Sequence, residues 1–271
     1  MFQVLVLSFV QGICEFLPIS SSLHLLVISK IFHFDYFFST KIFIVGMHFG
    51  TLIAIVVYFF KDIKKIINDF FKLFFNFKNE ILNGKNLFLL LLVSTFPLVV
   101  FTLFFKSLIE KSFDNIFLTC IIFIIFGYFL KFFDSLNNKK TFLELNYLDA
   151  IKIGFFEALA IIPGVSRSGI TITSALALKY KKEASIKISF LLAVPVILGA
   201  TILYIKDFKG LVLDKEKGLF LSFGVFLTFI FSFFMIKFFM NFLKKYSFDI
   251  FFYYRLIFGL FVIFLKIKNF I

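Results

Sequence analysis

The feature that most constrains this chain is a series of apolar runs, each about 20 residues long and separated from the next by a lysine-rich segment. The runs cover about residues 42–60, 87–105, 115–133, 186–205, 218–238 and 250–268. A helix of this length crosses a bilayer and satisfies its own backbone hydrogen bonds in lipid. With 61% hydrophobic residues and a mean hydropathy of +1.02, the sequence predicts an all-α polytopic membrane protein with six transmembrane helices.

Two more apolar regions, at about 2–29 and 149–177, are long enough to span but are interrupted near the middle. Pro18 breaks the first and the pair Pro163-Gly164 breaks the second. Proline removes a helical hydrogen bond and clashes with the preceding turn, so each region is predicted to form two half-helices. Polar residues beside both breaks indicate re-entrant segments rather than simple spans.

The order of these segments predicts an internal repeat. A re-entrant segment and three spans occur twice, at about 1–134 and 147–271, and Leu17–Ser21 parallels Ile162–Ser166. Three crossings between equivalent points reverse the orientation of the second copy. The prediction is therefore one integral membrane domain, residues 1–271, built from two inverted-topology repeats whose broken helices meet near the midplane.

Charge placement predicts the orientation and the environment of the chain. The net charge is +13, and the larger set of lysines falls in the loops at about 61–86, 131–149, 178–187 and 237–249. Cytoplasmic loops of membrane proteins are enriched in basic residues, which puts both termini and the breaks toward the outer side. Lysines between apolar runs suit anionic headgroups, so the bilayer is the predicted partner and nucleic acid is not.

The first break carries a cluster of polar residues, namely Gln11, Glu15, Ser20, Ser21, Ser22 and His24. Gln11 and Glu15 are four apart and share one face of a helix that ends near Pro18. The serines can cap the next half-helix, whose free N–H groups would then point at an anion in the break. Ser21 and His24 are three apart on that half-helix and are predicted to share a face.

The second break carries Ser166, Arg167, Ser168 and Gly169. Arg167 is one of only two arginines among 29 basic residues, in a chain whose composition favours lysine wherever a point charge suffices. A retained arginine indicates bidentate binding of phosphate or carboxylate by its planar guanidinium. The two breaks together predict a site for a phosphate or diphosphate group carried on a lipid.

Each candidate residue has a predicted role at such a site. Glu15, helped by Gln11, can hold a divalent cation, Mg²⁺ or Ca²⁺, which prefers oxygen ligands. Arg167 would neutralise the transferring phosphoryl group, and Ser21 would attack phosphorus or hold its oxygens. His24 would pass a proton. The structural alternative for Glu15 and Arg167 is an ion pair without chemistry.

Three further polar residues are assigned more simply. Glu157 falls opposite Gly12 in the repeat alignment, one position from Gln11, and is an additional candidate metal ligand. His48 is predicted to be a structural histidine. Arg255 begins the last apolar run and is predicted to extend its guanidinium to the membrane interface.

At the two breaks the chain closely resembles the undecaprenyl-diphosphate phosphatase family of the bacitracin-resistance (BacA) type. The matching positions are Gln11, Glu15, Pro18, Ser20, Ser21 and His24 in the first motif, and Pro163 to Gly169 in the second. The resemblance covers nearly the whole chain. Three positions depart from the usual pattern: Gln11 stands where many relatives have glutamate, Leu23 where glycine is usual, and His48 where glutamine is common.

The resemblance implies a bacterial inner-membrane enzyme that hydrolyses undecaprenyl diphosphate to undecaprenyl phosphate, which recycles the lipid carrier of peptidoglycan synthesis. It implies metal binding by Glu15, phosphate binding by Arg167, nucleophilic attack or phosphate binding by Ser21, and acid–base work by His24. The neighbouring Ser20, Ser22, Ser166, Ser168 and Gly169 are candidate substrate-binding residues. A homodimer is one alternative for the oligomeric state. A lipid-phosphate translocase without hydrolysis is the alternative function, because inverted repeats with broken helices also build transporters.

Overall fold

The computed structural model describes residues 1–34, 36–112, 115–208 and 215–271, which form a bundle of α-helices. The helices are α1 Phe2–Cys14, α2 Ser21–Ile31, α3 Lys41–Tyr58, α4 Phe60–Asn83, α5 Leu87–Ser112, α6 Ile116–Asp134, α7 Tyr147–Ala158, α8 Arg167–Ala177, α9 Lys182–Phe208, α10 Lys215–Phe242 and α11 Asp249–Ile267. Three short 3-10 helices, Tyr36–Ser39, Phe142–Glu144 and Leu159–Ile161, lie between them.

Five of these helices, α5, α6, α9, α10 and α11, are long and apolar enough to cross a membrane. A sixth span results if α3 and α4, which are bent by 90° at their junction, are counted as one broken pair. The number of spans is therefore five or six by length and composition. The prediction of an all-α polytopic membrane protein is confirmed at this level.

The segment at 61–86, which the sequence analysis treated as a loop, is largely helical. It forms α4, a helix of 24 residues with exposed Phe71, Phe74 and Phe75 as well as exposed Lys72. The loop prediction was wrong because a high lysine content is shared by connections and by the polar face of an amphipathic helix. Alternating apolar and lysine residues at helical spacing are instead typical of a helix that lies at an apolar–polar boundary.

Both interrupted apolar regions are broken helices, as predicted. In the first region α1 ends at Cys14 and α2 begins at Ser21. In the second region α7 ends at Ala158, and α8 begins at Arg167 after a short 3-10 turn. The chain therefore runs without regular helix through each break, which leaves backbone groups and polar side chains free to face one another.

The two breaks share an unusual backbone conformation. Ser20 and Ser166, the residues before α2 and α8, have positive φ angles of 63° and 71°. Gly164 has φ of +92°, and a Cβ there would lie 2.3 Å from the carbonyl oxygen of Thr119. Only glycine fits that position, because a side chain would clash with the backbone of α6.

Helix packing brings the breaks to the middle of the bundle. The first half-helix α1 packs on α10, and its counterpart α7 packs on α5. The long helices α3 and α9 contact each other, as do α6 and α11, and α8 lies against α6 and α9. Each broken region is thus held by spans from the other half of the chain, which encloses both breaks in one core.

Candidate active site

A cavity of about 180 Å³ lies between the two breaks. It is smaller than the roughly 300–1,000 Å³ typical of pockets for drug-sized ligands, so it can take a headgroup but not a long lipid chain. Its lining comes almost entirely from the two breaks: Cys14, Glu15, Ser20, Ser21, Ser22, His48, Ala160, Ile162, Pro163, Gly164, Ser166, Arg167 and Ser168.

The carboxylate of Glu15 is the centre of the polar network in this cavity. Its Oε1 accepts a hydrogen bond of 2.8 Å from Nη2 of Arg167. Its Oε2 accepts bonds of 2.8 Å from Oγ of Ser21 and 3.1 Å from Nε2 of Gln11. The structure therefore brings together four residues that the sequence predicted for the site, although Arg167 is 152 positions from Glu15.

The contact between Ser21 and Glu15 has the geometry that a serine nucleophile with an adjacent base requires. A serine hydroxyl is a weak nucleophile until a neighbouring group takes its proton, and 2.8 Å is within the range for that transfer. Ser21 also lines the cavity, so its oxygen can meet a ligand there. The ion pair of Glu15 with Arg167 alone is compatible with a purely structural role. The hydrogen bond from Ser21 to Glu15 in the cavity is the observation that favours a chemical role.

Arg167 is held in place but keeps donors for a ligand. Its Nη1 donates to the backbone oxygen of Ser189 at 3.2 Å, and its Nη2 donates to Glu15. A guanidinium carries five N–H groups. Within the described residues two hydrogen bonds of Arg167 are formed, so the remaining donors can bind a phosphate in the cavity that Arg167 lines.

The serines beside the breaks form two equivalent pairs. Ser20 and Ser22 place their Oγ atoms 3.2 Å apart, and Ser166 and Ser168 place theirs 3.3 Å apart. All four line the cavity. Ser166 also caps α8 by accepting from the amide of Gly169, so that this amide is not free for a ligand; Ser20 makes no such side-chain cap.

His24 lies behind the cavity rather than in its lining. Its Nδ1 is 2.9 Å from the carbonyl oxygen of Ser20, and its Nε2 is 2.6 Å from the hydroxyl of Tyr254. The ring stacks on Phe258 with centroids 4.2 Å apart. Ser21 and His24 thus meet different neighbours, and Tyr254 is a contact of His24 that sequence reasoning did not identify.

His48 belongs to the site, contrary to its assignment as a structural histidine. Its Nδ1 lies 2.9 Å from Nε2 of Gln11 and 3.5 Å from Oε2 of Glu15, and its side chain is 30% exposed. It also lines the cavity. The sequence signal that could have found it is its position on the span that follows the first break, where it departs from the usual glutamine.

Arg255 does not reach the membrane interface, and that prediction was wrong. Its side chain is fully buried, and its guanidinium donates to three carbonyl oxygens: Pro18 at 2.6 Å, Phe123 at 3.0 Å and Val165 at 3.3 Å. Pro18 and Val165 stand one in each break. A charge buried in an apolar bundle is costly unless polar groups such as backbone carbonyls accept hydrogen bonds from it. Because Arg255 donates to a carbonyl in each break, its hydrogen bonds hold the two breaks together.

We expect Arg255→Lys to destabilise the protein without altering any group in the cavity. A lysine cannot reach three carbonyls in different directions, and each lost bond from a charged donor costs about 1.5–3 kcal/mol. The melting temperature in detergent should fall by about 5 °C or more. Lys268→Arg, beyond the end of the same helix, is the matched control and should leave it unchanged. Equal melting temperatures for Arg255→Lys and the unchanged protein would contradict this role.

The oxygen-rich lining fits a divalent cation when a phosphate ligand is also present. Glu15 supplies a carboxylate, and Oε1 of Gln11 is buried without a hydrogen-bond partner in the described part of the chain. No group of three or more His, Cys, Asp or Glu side chains with metal-ligand spacing occurs among the described residues. Magnesium sites that use one or two carboxylates and take their other ligands from phosphate and water have this character.

Glu157 lies near the site but is not part of the cavity lining. It is fully buried on α7, and neither of its carboxylate oxygens has a hydrogen-bond partner among the described residues. It is within electrostatic reach of Arg167. Because the residues before α2 and α8 are Ser20 and Ser166, the equivalent position to Glu157 in the first half is Gln11 rather than Gly12.

Comparison with known proteins gives one consistent result. The sequence profile of the family described as "Bacitracin resistance protein BacA" matches residues 4–261. An undecaprenyl-diphosphatase from Pelagibacter ubique is 36% identical over 273 residues, which cover 98% of this chain and 98% of that protein. An undecaprenyl-diphosphatase from Fusobacterium nucleatum is 37% identical, covering 96% and 98%. A third, from Alcanivorax borkumensis, is 36% identical, covering 97% and 98%.

Proposed function

Because the chain belongs to the bacitracin resistance protein BacA family, we propose that its two-break cavity hydrolyses undecaprenyl diphosphate to undecaprenyl phosphate and inorganic phosphate. The protein is thus a membrane-bound hydrolase that returns a lipid carrier to cell-wall synthesis. The observation that carries this proposal is the bond from Ser21 to Glu15 beside Arg167 in a headgroup-sized cavity. A transporter needs the arginine but has no use for a nucleophile paired with a base.

The first chemical step is attack by Ser21 on the terminal phosphorus. Glu15 accepts the proton from Oγ of Ser21 through Oε2, and the new Oγ–P bond forms as the P–O bond of the anhydride breaks. The electron pair stays on the bridging oxygen, which leaves on undecaprenyl phosphate and takes the proton from Glu15. The carboxylate is then free for the second step.

The second step releases inorganic phosphate. Glu15 takes a proton from water, whose oxygen bonds to phosphorus as the Oγ–P bond breaks. Ser21 recovers its proton from Glu15, so one water is consumed and the site returns to its starting state. The position of Glu15 suits both steps, because its Oε2 holds Ser21 while its Oε1 is fixed by Arg167.

Arg167 and the first serine pair bind the charged oxygens of the diphosphate. The guanidinium stabilises charge on the transferring phosphoryl group, as preorganised cations do in other phosphoryl transfers. The pair Ser20 and Ser22 adds a neutral donor at the cavity. The hydroxyl of Ser168 donates to the carbonyl oxygen of Leu17 and accepts from Ser166, so the second pair offers lone pairs rather than donors. The N-terminus of α8, at Arg167, adds a positive dipole end. His24 positions α2 through its contact with the hydroxyl of Tyr254. It lies outside the cavity lining, so the acid–base work predicted for it has no part in this mechanism.

A divalent cation is part of the proposal, held by Glu15 and Gln11 together with diphosphate oxygens. When bound it would lower the charge on the diphosphate and so favour departure of the lipid phosphate. Glu157 is an accessory candidate, supported by its equivalence to Gln11 and by its unpartnered oxygens. It lies within electrostatic reach of Arg167 and outside the cavity lining.

Two inverted repeats of about 1–134 and 147–271 form the proposed single domain. The supporting features are the matching serine pairs, the two serines with positive φ, and the reciprocal packing of α1 on α10 and α7 on α5. In this topology α3, α5, α6, α9, α10 and α11 are the six spans. The amphipathic helix α4 lies along the membrane surface, which agrees with its 90° bend from α3.

The orientation follows from the same topology. The lysine-rich connections and α4 are assigned to the cytoplasmic face of a bacterial inner membrane, and the cavity is assigned to the periplasmic side. Salt bridges such as Lys187 with Asp62 and Lys182 with Asp134 hold these connections together. A homodimer stays a prediction from the sequence.

Hydrolysis is tested by measuring phosphate release from undecaprenyl diphosphate with purified protein in detergent. Release should occur with an added divalent cation and should fall to background with a chelator present. The chelated sample is restored by excess cation, which separates metal loss from denaturation. Absence of release across detergents, metals and pH values would favour the translocase instead, and transfer of labelled undecaprenyl phosphate across vesicles would then be its positive sign.

A further inference from the structure

Three side-chain atoms at the edge of the cavity form a compact triangle. Nε2 of Gln11 lies 2.9 Å from Nδ1 of His48 and 3.1 Å from Oε2 of Glu15, and the His48–Glu15 side of the triangle is 3.5 Å. For metal–ligand bonds of about 2.1 Å, neighbouring ligands of an octahedral or tetrahedral ion lie about 3.0–3.4 Å apart. One side of the triangle, at 3.1 Å, falls in this range, and the other two, at 2.9 and 3.5 Å, miss it by 0.1 Å, so small side-chain shifts convert the triangle into one face of a coordination shell.

The amide of Gln11 is the only corner that cannot bind a cation as it stands. Nε2 is a donor without a lone pair, whereas Oε1 of the same amide is buried with no hydrogen-bond partner in the described residues. Rotation of the Gln11 side-chain amide by half a turn exchanges Nε2 and Oε1 and puts Oε1 at this corner of the triangle. With His48 in the tautomer that leaves Nδ1 unprotonated, three acceptor atoms then face one another, an arrangement that is unfavourable unless a cation lies between them.

His48 is ready to act as the nitrogen corner. Since Nε2 of Gln11 can only donate, Nδ1 of His48 is the acceptor in their 2.9 Å contact and carries its lone pair toward the triangle. The His48 side chain is 30% exposed and lines the cavity, so an ion can enter from the same space as the substrate. A glutamine at this position would offer an oxygen instead.

We propose that His48 is a direct ligand of the catalytic cation in this chain, with Oε1 of Gln11 and Oε2 of Glu15 completing one face of its coordination shell. The inference rests on the proposed hydrolase site and changes its chemistry. Imidazole nitrogen suits first-row transition ions, whereas an all-oxygen set suits Mg²⁺ and Ca²⁺. The site therefore favours a later first-row ion such as Fe²⁺ or Zn²⁺ over the two alkaline-earth ions.

The test uses Mn²⁺ as the probe, because its electron spin reports directly on nitrogen ligands. The full-length protein in detergent is stripped of metal and titrated with Mn²⁺, and bound ion is followed by electron paramagnetic resonance. Pulsed measurements should detect ¹⁴N coupling from an imidazole. His48→Gln, which replaces the ring nitrogen by an amide, should lose this coupling and bind Mn²⁺ at least about tenfold more weakly. The control His33→Asn, at an exposed histidine outside the cavity, should behave as the unchanged protein.

Each other outcome overturns the proposal. Bound Mn²⁺ without ¹⁴N coupling, coupling that persists in His48→Gln, or no Mn²⁺ binding by any variant would exclude His48 as a ligand. None of these readouts depends on turnover. Phosphate release by the same preparations therefore distinguishes failure of this inference from failure of the proposed hydrolase function.

Discussion

Replacing Ser21 with alanine is expected to lower phosphate release from undecaprenyl diphosphate by at least about 10³-fold. The hydroxyl of Ser21 is bonded to Oε2 of Glu15 at 2.8 Å, and methyl in its place leaves no nucleophile beside that base. Because Ser21 is partly exposed to the cavity, the loss of one oxygen opens no core void. The melting temperature should therefore be unchanged, and the defect should appear in kcat rather than in KM.

Trapping the reaction separates attack by Ser21 from mere binding of phosphate. Acid quenching after mixing with substrate labelled in the terminal phosphate should leave label on the unchanged protein and none on Ser21→Ala. Ser29→Ala, on the same helix but outside the cavity, is the matched control and should retain both labelling and rate. A loss of only about tenfold, or equal labelling of Ser21→Ala, would assign Ser21 to phosphate binding and remove it as the nucleophile.

The spans of this fold could be predicted from sequence because their signal is local. About 20 consecutive apolar residues have few structural alternatives to a transmembrane helix in a membrane protein. The predicted run at 87–105 lies within α5, and the run at 115–133 nearly coincides with α6. Helix α4 was missed because its apolar residues are interleaved with lysines. Its signal was periodicity rather than hydropathy, and the criterion of continuous apolar length does not register it.

The centre of the site was predictable for a different reason. A carboxylate or guanidinium in an apolar segment carries a cost that only a partner or a function offsets, so Glu15 and Arg167 were conspicuous. Their hydrogen bond of 2.8 Å joins residues that are 152 positions apart in the sequence. The internal repeat predicted that the two breaks lie close together, but it does not give the distance between these side chains. The serine pairs were visible as motifs, whereas their matching Oγ–Oγ distances depend on backbone conformations that sequence does not display.

Arg255 is buried in the structure, although its place in the sequence predicted an interfacial side chain. The retention of arginine in a lysine-rich chain pointed to a guanidinium function at Arg167, and it applied equally to Arg255. The position of Arg255 near the start of a span suggested an interface instead. In the structure it bonds Pro18 and Val165, so both arginines of the chain serve the breaks, one in the cavity and one beneath it. His48 was missed because its role depends on a contact with α1 that no local pattern encodes.

The other large effect is expected from Arg167→Lys, which should lower turnover about 10²–10³-fold while the protein stays folded. Lysine keeps a positive charge next to Glu15 but has no planar fork to bind two phosphate oxygens while it also holds Oε1. The bond to the carbonyl of Ser189, which fixes the orientation of the guanidinium, is lost as well. Steady-state phosphate release and the melting temperature in detergent measure the two expectations separately.

Arg255→Lys is the matched control for the chemistry of the exchange, because it makes the same substitution at the only other arginine. Its expected effect is the reverse: a lower melting temperature, with turnover retained at temperatures where it stays folded. Near-normal turnover of Arg167→Lys would show that a point charge suffices at the diphosphate and would remove bidentate binding from the mechanism. Equal loss of melting temperature in both variants would instead assign Arg167 to the structural role of the ion pair with Glu15.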